Sequence, residues 1–289
     1  TMTKLSDPIR LELLKNALES IADGMALTVV RTSRSSVVRQ ALDFSTGLLS
    51  PQGELVGQGM CLPMHLGGMG VALQHCIRRY GTNVQPGDIF INNDPYEGGS
   101  HLPDIFTYKP VFAGNVLLGY LCAMCHHTDV GGRVAGGNAC DSSEIYQEGI
   151  RIPPLKLYEQ GVPNETLFRV IEKAVRVPDK VLGDLSAQVA ALHYGERELL
   201  RLVDGYGVEE LVNAQVELLN YTETLTRRAI RALPDGHWHF TDYIDDDGFS
   251  PEPIVLVATL KKQDDEIHVD ASGEFHIIKP PPPNKTDQI

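Results

Sequence analysis

The chain has 289 residues, 38 acidic against 25 basic side chains for a formal charge of −13, and 42% apolar content. This length permits one large or two modest domains with a genuine core, which excludes a disordered tail and a disulfide-stapled mini-protein. The acidic balance repels a phosphate backbone and no Lys/Arg-rich run reverses it, so nucleic acid is not an expected partner.

Five cysteines, all between Cys61 and Cys140, are an odd number and fit a reducing compartment. The N-terminal TMTKLSDPIR lacks the apolar run of a signal peptide, and no stretch of ~18 or more apolar residues could span a bilayer. The expectation is a soluble, cytoplasmic protein with no membrane partner.

Ser6-Asp7-Pro8 is a helix opening: a side-chain oxygen caps, and proline sits where no amide donor is needed. Leu11, Leu14, Leu18, Ile21 and Met25 recur at helical spacing, which predicts a helix from about Pro8 to Arg31. The alternating runs ALDFSTGLLS and GELVGQG, split by Pro51-Gln52-Gly53, predict a hairpin. Leu66 to Tyr80 reads as a second helix, with Met69, Leu73, Cys76, Ile77 and Tyr80 on one face and Gly81 closing it.

GDIFINND (87–94), IFTYKPVF (105–112) and VLLGYLCAM (116–124) predict three strands. Pro110 argues for an edge position for the second, and the third, apolar throughout, belongs in the middle of the sheet. Residues 130–162, rich in Gly, Pro and acidic side chains and without a period, are expected as a long functional loop or an irregular wall. Helices follow at 164–176, 178–206 and 208–232, then a β segment from HWHFTDY through PIVLVATL to EIHVDASG. The expected fold class is mixed α/β (α+β). Its regions are an N-terminal helix with a mixed β-sheet (1–162), a helical region (163–233), the start of a second β region (234–279) and a disordered Pro-rich tail (280–289).

Four of the ten histidines concentrate in the first half: His65 in CLPMHLGGMG, His101 in NNDPYEGGSHLPD, and His126-His127 in CHHTDVGG. The other six, His75, His193, His237, His239, His268 and His276, read as surface or helix-face residues. His101 and Asp104 meet only if the backbone turns, and Gly98-Gly99 and Pro103 supply the turn. His126 and His127 close the third strand, where adjacent residues face opposite ways, so only one can enter a given pocket. Neutral imidazoles and carboxylates suit a divalent metal, with Asp43 as a candidate extra carboxylate. The same residues also fit a plain turn hydrogen bond and a His pair ending a strand in water. Without a compact pattern such as H-E-x-x-H, spacing leaves both readings open.

Cys122 to His126 matches the C-x-x-C-H pattern of covalent haem attachment. Both cysteines fall in an apolar run that reads as a buried strand, so they are expected as small core residues. Cys61, Cys76 and Cys140 do not supply the second short-spaced pair of a structural zinc site. There is no G-x-x-x-x-G-K-[ST] and no G-x-G-x-x-G after a strand, so if the chemistry consumes ATP the nucleotide binds elsewhere.

The segments ALDFSTGLLSPQGELVGQGMCLPMHLGGM, GDIFINNDPYEGGSHLPDI, HHTDVGG, EIYQEGIRIPPLKL and VLGDLSAQVAAL stand in the order typical of the hydantoinase B/oxoprolinase family. Over about residues 5–273 the chain resembles it. The family includes B subunits of ATP-dependent hydantoinases, the matching half of 5-oxoprolinase, caprolactamase, and subunits of acetone and acetophenone carboxylases. The resemblance implies one divalent ion, zinc or manganese, held by Asp43, His101, Asp104 and His126, which selects His126 over His127. It makes His65, His127 and Asp129 candidates for acid/base work or for orienting the ligands, and Asp94 and Glu148 candidates to line the pocket.

The resemblance also implies a hetero-oligomer with an A-type subunit that uses ATP to phosphorylate the substrate oxygen. The metal centre of the B-type chain then completes hydrolysis of a cyclic amide of the hydantoin or oxoproline type. Alternatives are a subunit of an ATP-dependent ketone carboxylase and a catalytically silent assembly fragment. Family chains are roughly twice this length and the text becomes unfamiliar after VDASGEF. Activity is therefore expected only with the partner subunit and a full-length chain.

Overall fold

The computed structural model of the chain describes residues 7–59, 62–137, 139, 141–246 and 251–271. The predicted Pro-rich tail, and Cys61 and Cys140, lie outside the described residues. Two compact units are present: residues 1–137 with 149–218, and residues 138–148 with 219–289.

The first unit opens with α1 (Pro8–Thr32), where the Asp7 carboxylate accepts from the amides of Ile9 and Arg10. Its predicted stripe, Leu11, Leu14, Leu18, Ile21 and Met25, is buried, and Val29 extends it. A short α2 (Ser36–Arg39), capped by the Ser35 hydroxyl, follows. The sheet is then built from β1 (Phe44–Leu49), β2 (Leu55–Gln58), β3 (Ile89–Asn92), β4 (Asp104–Ala113), β5 (Val116–His126), β6 (Leu155–Glu159) and β7 (Val162–Pro163). Its order is β2-β1-β5-β4-β3-β6-β7, with antiparallel pairing at every step. Four more helices complete the order: α3 (Leu66–Tyr80), between β2 and β3, and α4 (Glu165–Ala174), α5 (Pro178–Tyr206) and α6 (Val208–Arg231) after β7.

The sheet is the middle layer of three. Met69, Ala72, Leu73 and Cys76 of α3 pack on Phe90, Phe106, Tyr108, Tyr120, Cys122 and Met124, the alternate residues of β3, β4 and β5. Full burial of a side chain such as Met69 or Leu73 stabilises by about 1.5–3 kcal/mol, so this stripe fixes α3 on that face. The opposite face meets α1 and α5: Thr46 Oγ1 donates to Ala22 O at 2.8 Å, and Gln188 Nε2 donates to Ala123 O at 2.8 Å. Cys122 and Cys125 are buried and, three apart on β5, face opposite layers, so both act as core residues.

Two expectations need correction. β4 is not an edge strand: it lies between β5 and β3. Pro110 is tolerated because the β3 register ends at Tyr108, so no β3 acceptor stands opposite its missing amide donor. Nor is 130–162 irregular throughout, since β6 and β7 extend the sheet there. The Leu-Lys-Leu alternation of β6 hides its strand character because Lys156 is buried, paired with the buried Asp88 at 3.0 Å.

In the second unit, β8 (Gly236–Ile244), β9 (Ile254–Gln263) and β10 (Glu266–Asp270) form an antiparallel sheet in the order β10-β9-β8. Trp238, Phe240 and Ile244 share one face and are exposed. Lys262 is buried and donates to Leu233 O at 2.7 Å and Asp235 Oδ1 at 2.6 Å, which pins β9 to the segment before β8. No helix among the described residues is long and apolar enough to cross a membrane.

Candidate metal centre

Three neighbouring strands align the candidate ligands. Asp104 opens β4 and pairs with His126, the last residue of β5. On the other side of β5, Phe44 pairs with Cys125, and the His126 amide donates to Asp43 O at 3.0 Å. Directly opposed residues share a sheet face. Asp43, His126 and Asp104 therefore form a row at one end of the sheet, on the α3 side.

His101 joins the row through a turn closed by Asp104 N donating to His101 O at 3.0 Å. The loop before it is held by Asn93, whose Nδ2 donates to Leu102 O at 2.7 Å and to Ile150 O at 3.0 Å, while its Oδ1 accepts from Ile152 N at 2.6 Å. Asp94 caps the helical turn Pro95–Glu97 and pairs with Arg151 Nε at 3.3 Å. Gly98, at φ +90°, has no room for a side chain: a Cβ would stand 2.8 Å from Ala72 Cα of α3. At Gly99 a Cβ would stand 2.7 Å from the Asn93 backbone. Only glycine fits both approaches, and through them the loop brings His101 over the strand ends.

His101 Nδ1 is 3.0 Å from Asp104 Oδ2, His126 Nδ1 is 3.3 Å from Asp104 Oδ1, and His126 Nδ1 is 3.7 Å from Asp43 Oδ2. One ligand atom from each of His101, Asp104 and His126 lies within 4.8 Å of the others. Ligand atoms bound tetrahedrally at about 2.1 Å are about 3.4 Å apart, so these spacings fit a shared divalent ion. Asp104 is buried, and no donor meets its Oδ1 in hydrogen-bonding geometry. An orphaned carboxylate oxygen beside two imidazoles is the donor set a cation completes. Burial pushes the Asp104 pKa up, but His101, His126 and the Ser100 hydroxyl outweigh it and hold the carboxyl well below the ordinary range. Ser100 Oγ donates to Oδ2 at 2.5 Å.

His65 closes a 3-10 turn before α3 and is buried beside Asp43, Nε2 to Oδ1 3.6 Å. Ser45 on β1 fixes its tautomer. The Ser45 hydroxyl spends its proton on Leu62 O at 2.7 Å, so at 3.0 Å from His65 Nδ1 it can only accept. The network thereby assigns the proton to Nδ1 and leaves the Nε2 lone pair facing the Asp43 carboxylate. Two acceptors turned toward each other need a cation or a donor between them. Burial also pushes the His65 pKa down, against the pull of Asp104 and Asp43, which favours the neutral ring.

His127 and Asp129 stand elsewhere. His127 is fully buried and its Nε2 meets Gln188 Oε1 of α5 at 3.0 Å, on the face away from His126. Asp129 accepts from Arg176 N at 2.6 Å, Arg176 Nη1 at 3.0 Å and Gly136 N at 3.1 Å, an anchor for the glycine-rich loop after β5. Glu148 is the C-cap of the helical turn Ile145–Gln147 in the second unit.

A model of the hydantoinase B/oxoprolinase family matches residues 7–277. The chain belongs to this family. It is 37% identical over 263 residues to the beta chain of the caprolactamase of Pseudomonas jessenii, covering 91% of this chain and 45% of that one. It is 31% identical over 282 residues to the putative B chain of a D-/L-hydantoinase of a Pseudomonas species, covering 94% and 48%. The crystal structure of the ATP-dependent caprolactamase from Pseudomonas jessenii superposes with a TM-score of 0.88 at 36% identity, over 93% of this chain and 47% of that one. An acetone carboxylase structure shares the fold, with a TM-score of 0.82 at 19% identity over 92% and 37%. This member of the hydantoinase B/oxoprolinase family thus spans about half the length of the first two relatives.

Sequence reasoning missed Ser45, Asn93 and Gln188. Asn93 carries a usable signal, a polar residue directly after an apolar strand and before a Pro-Gly-rich loop. Ser45 and Gln188 carry none, because their partners lie far along the chain.

Proposed function

We propose that this chain is the metal-binding B-type part of an ATP-dependent cyclic amide hydrolase. The observation that carries the reading is the convergence of His101, Asp104 and His126 at one sheet end, with the Asp43 carboxylate 3.7 Å from His126, in a member of this family. These four side chains hold the ion, zinc or manganese, both of which a mixed nitrogen and oxygen set accepts. When bound, such an ion polarises a carbonyl or phosphoryl oxygen and lowers the pKa of bound water toward ~7. An A-type partner chain binds ATP and phosphorylates the lactam oxygen, and the B-type site completes the hydrolysis.

The chain's own residues divide the remaining work. His65, neutral and with Nε2 turned toward Asp43, is placed to take a proton from an attacking water. Ser100 and His101 orient the Asp104 carboxylate. His127 and Asp129 act as supports, since both are tied into hydrogen bonds away from the ligand row.

The test is elemental analysis of the purified chain and of His101→Ala, followed by ATP turnover with an A-type partner chain. Near-stoichiometric zinc or manganese that His101→Ala abolishes, with turnover of a lactam independent of bicarbonate, is the expected result. Metal content unchanged by His101→Ala would sink the assignment, and strict bicarbonate dependence would transfer it to a carboxylase.

A further inference from the structure

We infer that Gln188 of α5 is a positioning residue for the metal centre, acting through the sheet from its opposite face. The inference rests on the metal reading above. Gln188 is fully buried. Its Nε2 donates to Ile105 O and to Ala123 O, both at 2.8 Å, and its Oε1 faces His127 Nε2 at 3.0 Å. The two carbonyl contacts fix the amide orientation, because the reversed amide would set its oxygen against both. Oε1 must then accept, so His127 carries its proton on Nε2. His127 Nδ1 is left buried without a hydrogen-bond partner.

The contacts fall where the ligands are. Ile105 follows Asp104 on β4, and His127 follows His126 at the end of β5. One amide therefore holds the residue next to each of two ligands and ties both strand ends to a long helix. His127 N also donates to Pro103 O at 2.7 Å, so the ring that Gln188 grips belongs to the peptide that continues the β4–β5 ladder past the ligand pair. Losing the amide leaves a buried ring N–H unsatisfied. Relieving it by moving the 126–127 backbone displaces His126 relative to Asp104.

Gln215 of α6 provides the matched control. It is also a buried glutamine, and its Nε2 donates at 2.9 Å to Leu118 O near the start of the same strand, remote from the ligands. The experiment binds cobalt(II) to the full chain as a spectroscopic probe and measures affinity by chelator competition for wild type, Gln188→Leu, Gln215→Leu and His127→Phe. Gln188→Leu and His127→Phe are expected to weaken cobalt binding by about tenfold and to alter its visible bands, as loss of groups supporting metal ligands does. Gln215→Leu is expected to change neither. Wild-type affinity and spectrum in a folded Gln188→Leu overturn the inference and leave the metal reading standing. If Gln188→Leu does not fold, His127→Phe decides in its place by the same two readouts, since it cuts only the ring end of the contact. Failure of the wild type to bind cobalt at all overturns the metal reading itself.

Discussion

Asp104 and His126 face each other across β4 and β5 with Oδ1 and Nδ1 3.3 Å apart, and that buried oxygen accepts no hydrogen bond in the described structure. A cation bound there would supply the missing partner, so metal binding is expected to stabilise the fold. Zinc or manganese at a hundred times its dissociation constant is expected to add about 2.7 kcal/mol. That corresponds to a rise in Tm of about 5 °C for a chain of this size. Differential scanning fluorimetry checks this, and Asp104→Asn should show no rise.

Ser45 governs the state of His65. Nitrogen NMR of the imidazoles should find the His65 proton on Nδ1, with Nε2 unprotonated at neutral pH. Ser45→Ala leaves the buried Nδ1–H without an acceptor, at a cost of about 1–3 kcal/mol in urea unfolding. The ring should then populate the other tautomer. A wild-type spectrum with the proton on Nε2 would rule out the proton-acceptor role.

Two glycines separate steric need from backbone strain. Gly98 and Gly114 both have positive φ, +90° and +59°, but a Cβ at Gly114 meets open space. Gly114→Ala is therefore expected to cost about 1 kcal/mol from backbone strain alone. Gly98→Ala must also push the loop off α3, and should cost about 1–3 kcal/mol more and weaken metal binding. Paired urea titrations and a chelator competition distinguish the two.

The Asp129–Arg176 anchor predicts a pH dependence. Burial raises the Asp129 pKa, but the bonds from Arg176 and Gly136 overcome it, so the folded value lies below the ordinary one. A depressed carboxyl contributes stability above its unfolded pKa of ~3.9 and loses it as pH falls toward the folded value. Asp129→Asn is expected to cost about 1.5–3 kcal/mol at pH 7, the worth of hydrogen bonds to a charged group. The gap between wild-type and variant urea midpoints should narrow as pH drops below ~4.

What the sequence made legible was whatever rests on local rules. The Asp7 cap and the Leu11-to-Met25 period place α1, and the apolar runs place β3, β4 and β5. What it hid depends on distant partners. Lys156 masks β6 because Asp88, which neutralises it, lies in another part of the chain. Pro110 suggests an edge because the length of β3 is not written in β4. In the site, residue type and turn chemistry raised His101 and Asp104 as candidates but left a metal and a plain turn hydrogen bond both open, and preferring His126 to His127 rested on family resemblance. Gln188 looks like any polar residue of an amphipathic helix, and only the packing of α5 on the sheet reveals that it is buried.

The tandem histidines at the end of β5 set a condition on how this strand is threaded. A slip by one residue would still deliver an imidazole to the candidate metal site, so ligand chemistry alone does not proofread the alignment. It would, however, exchange the layers of Tyr120, Cys122 and Met124 with those of Leu121, Ala123 and Cys125. The large and small side chains further back along the strand thus enforce which histidine arrives, and the fidelity of the centre is kept by residues that never touch it.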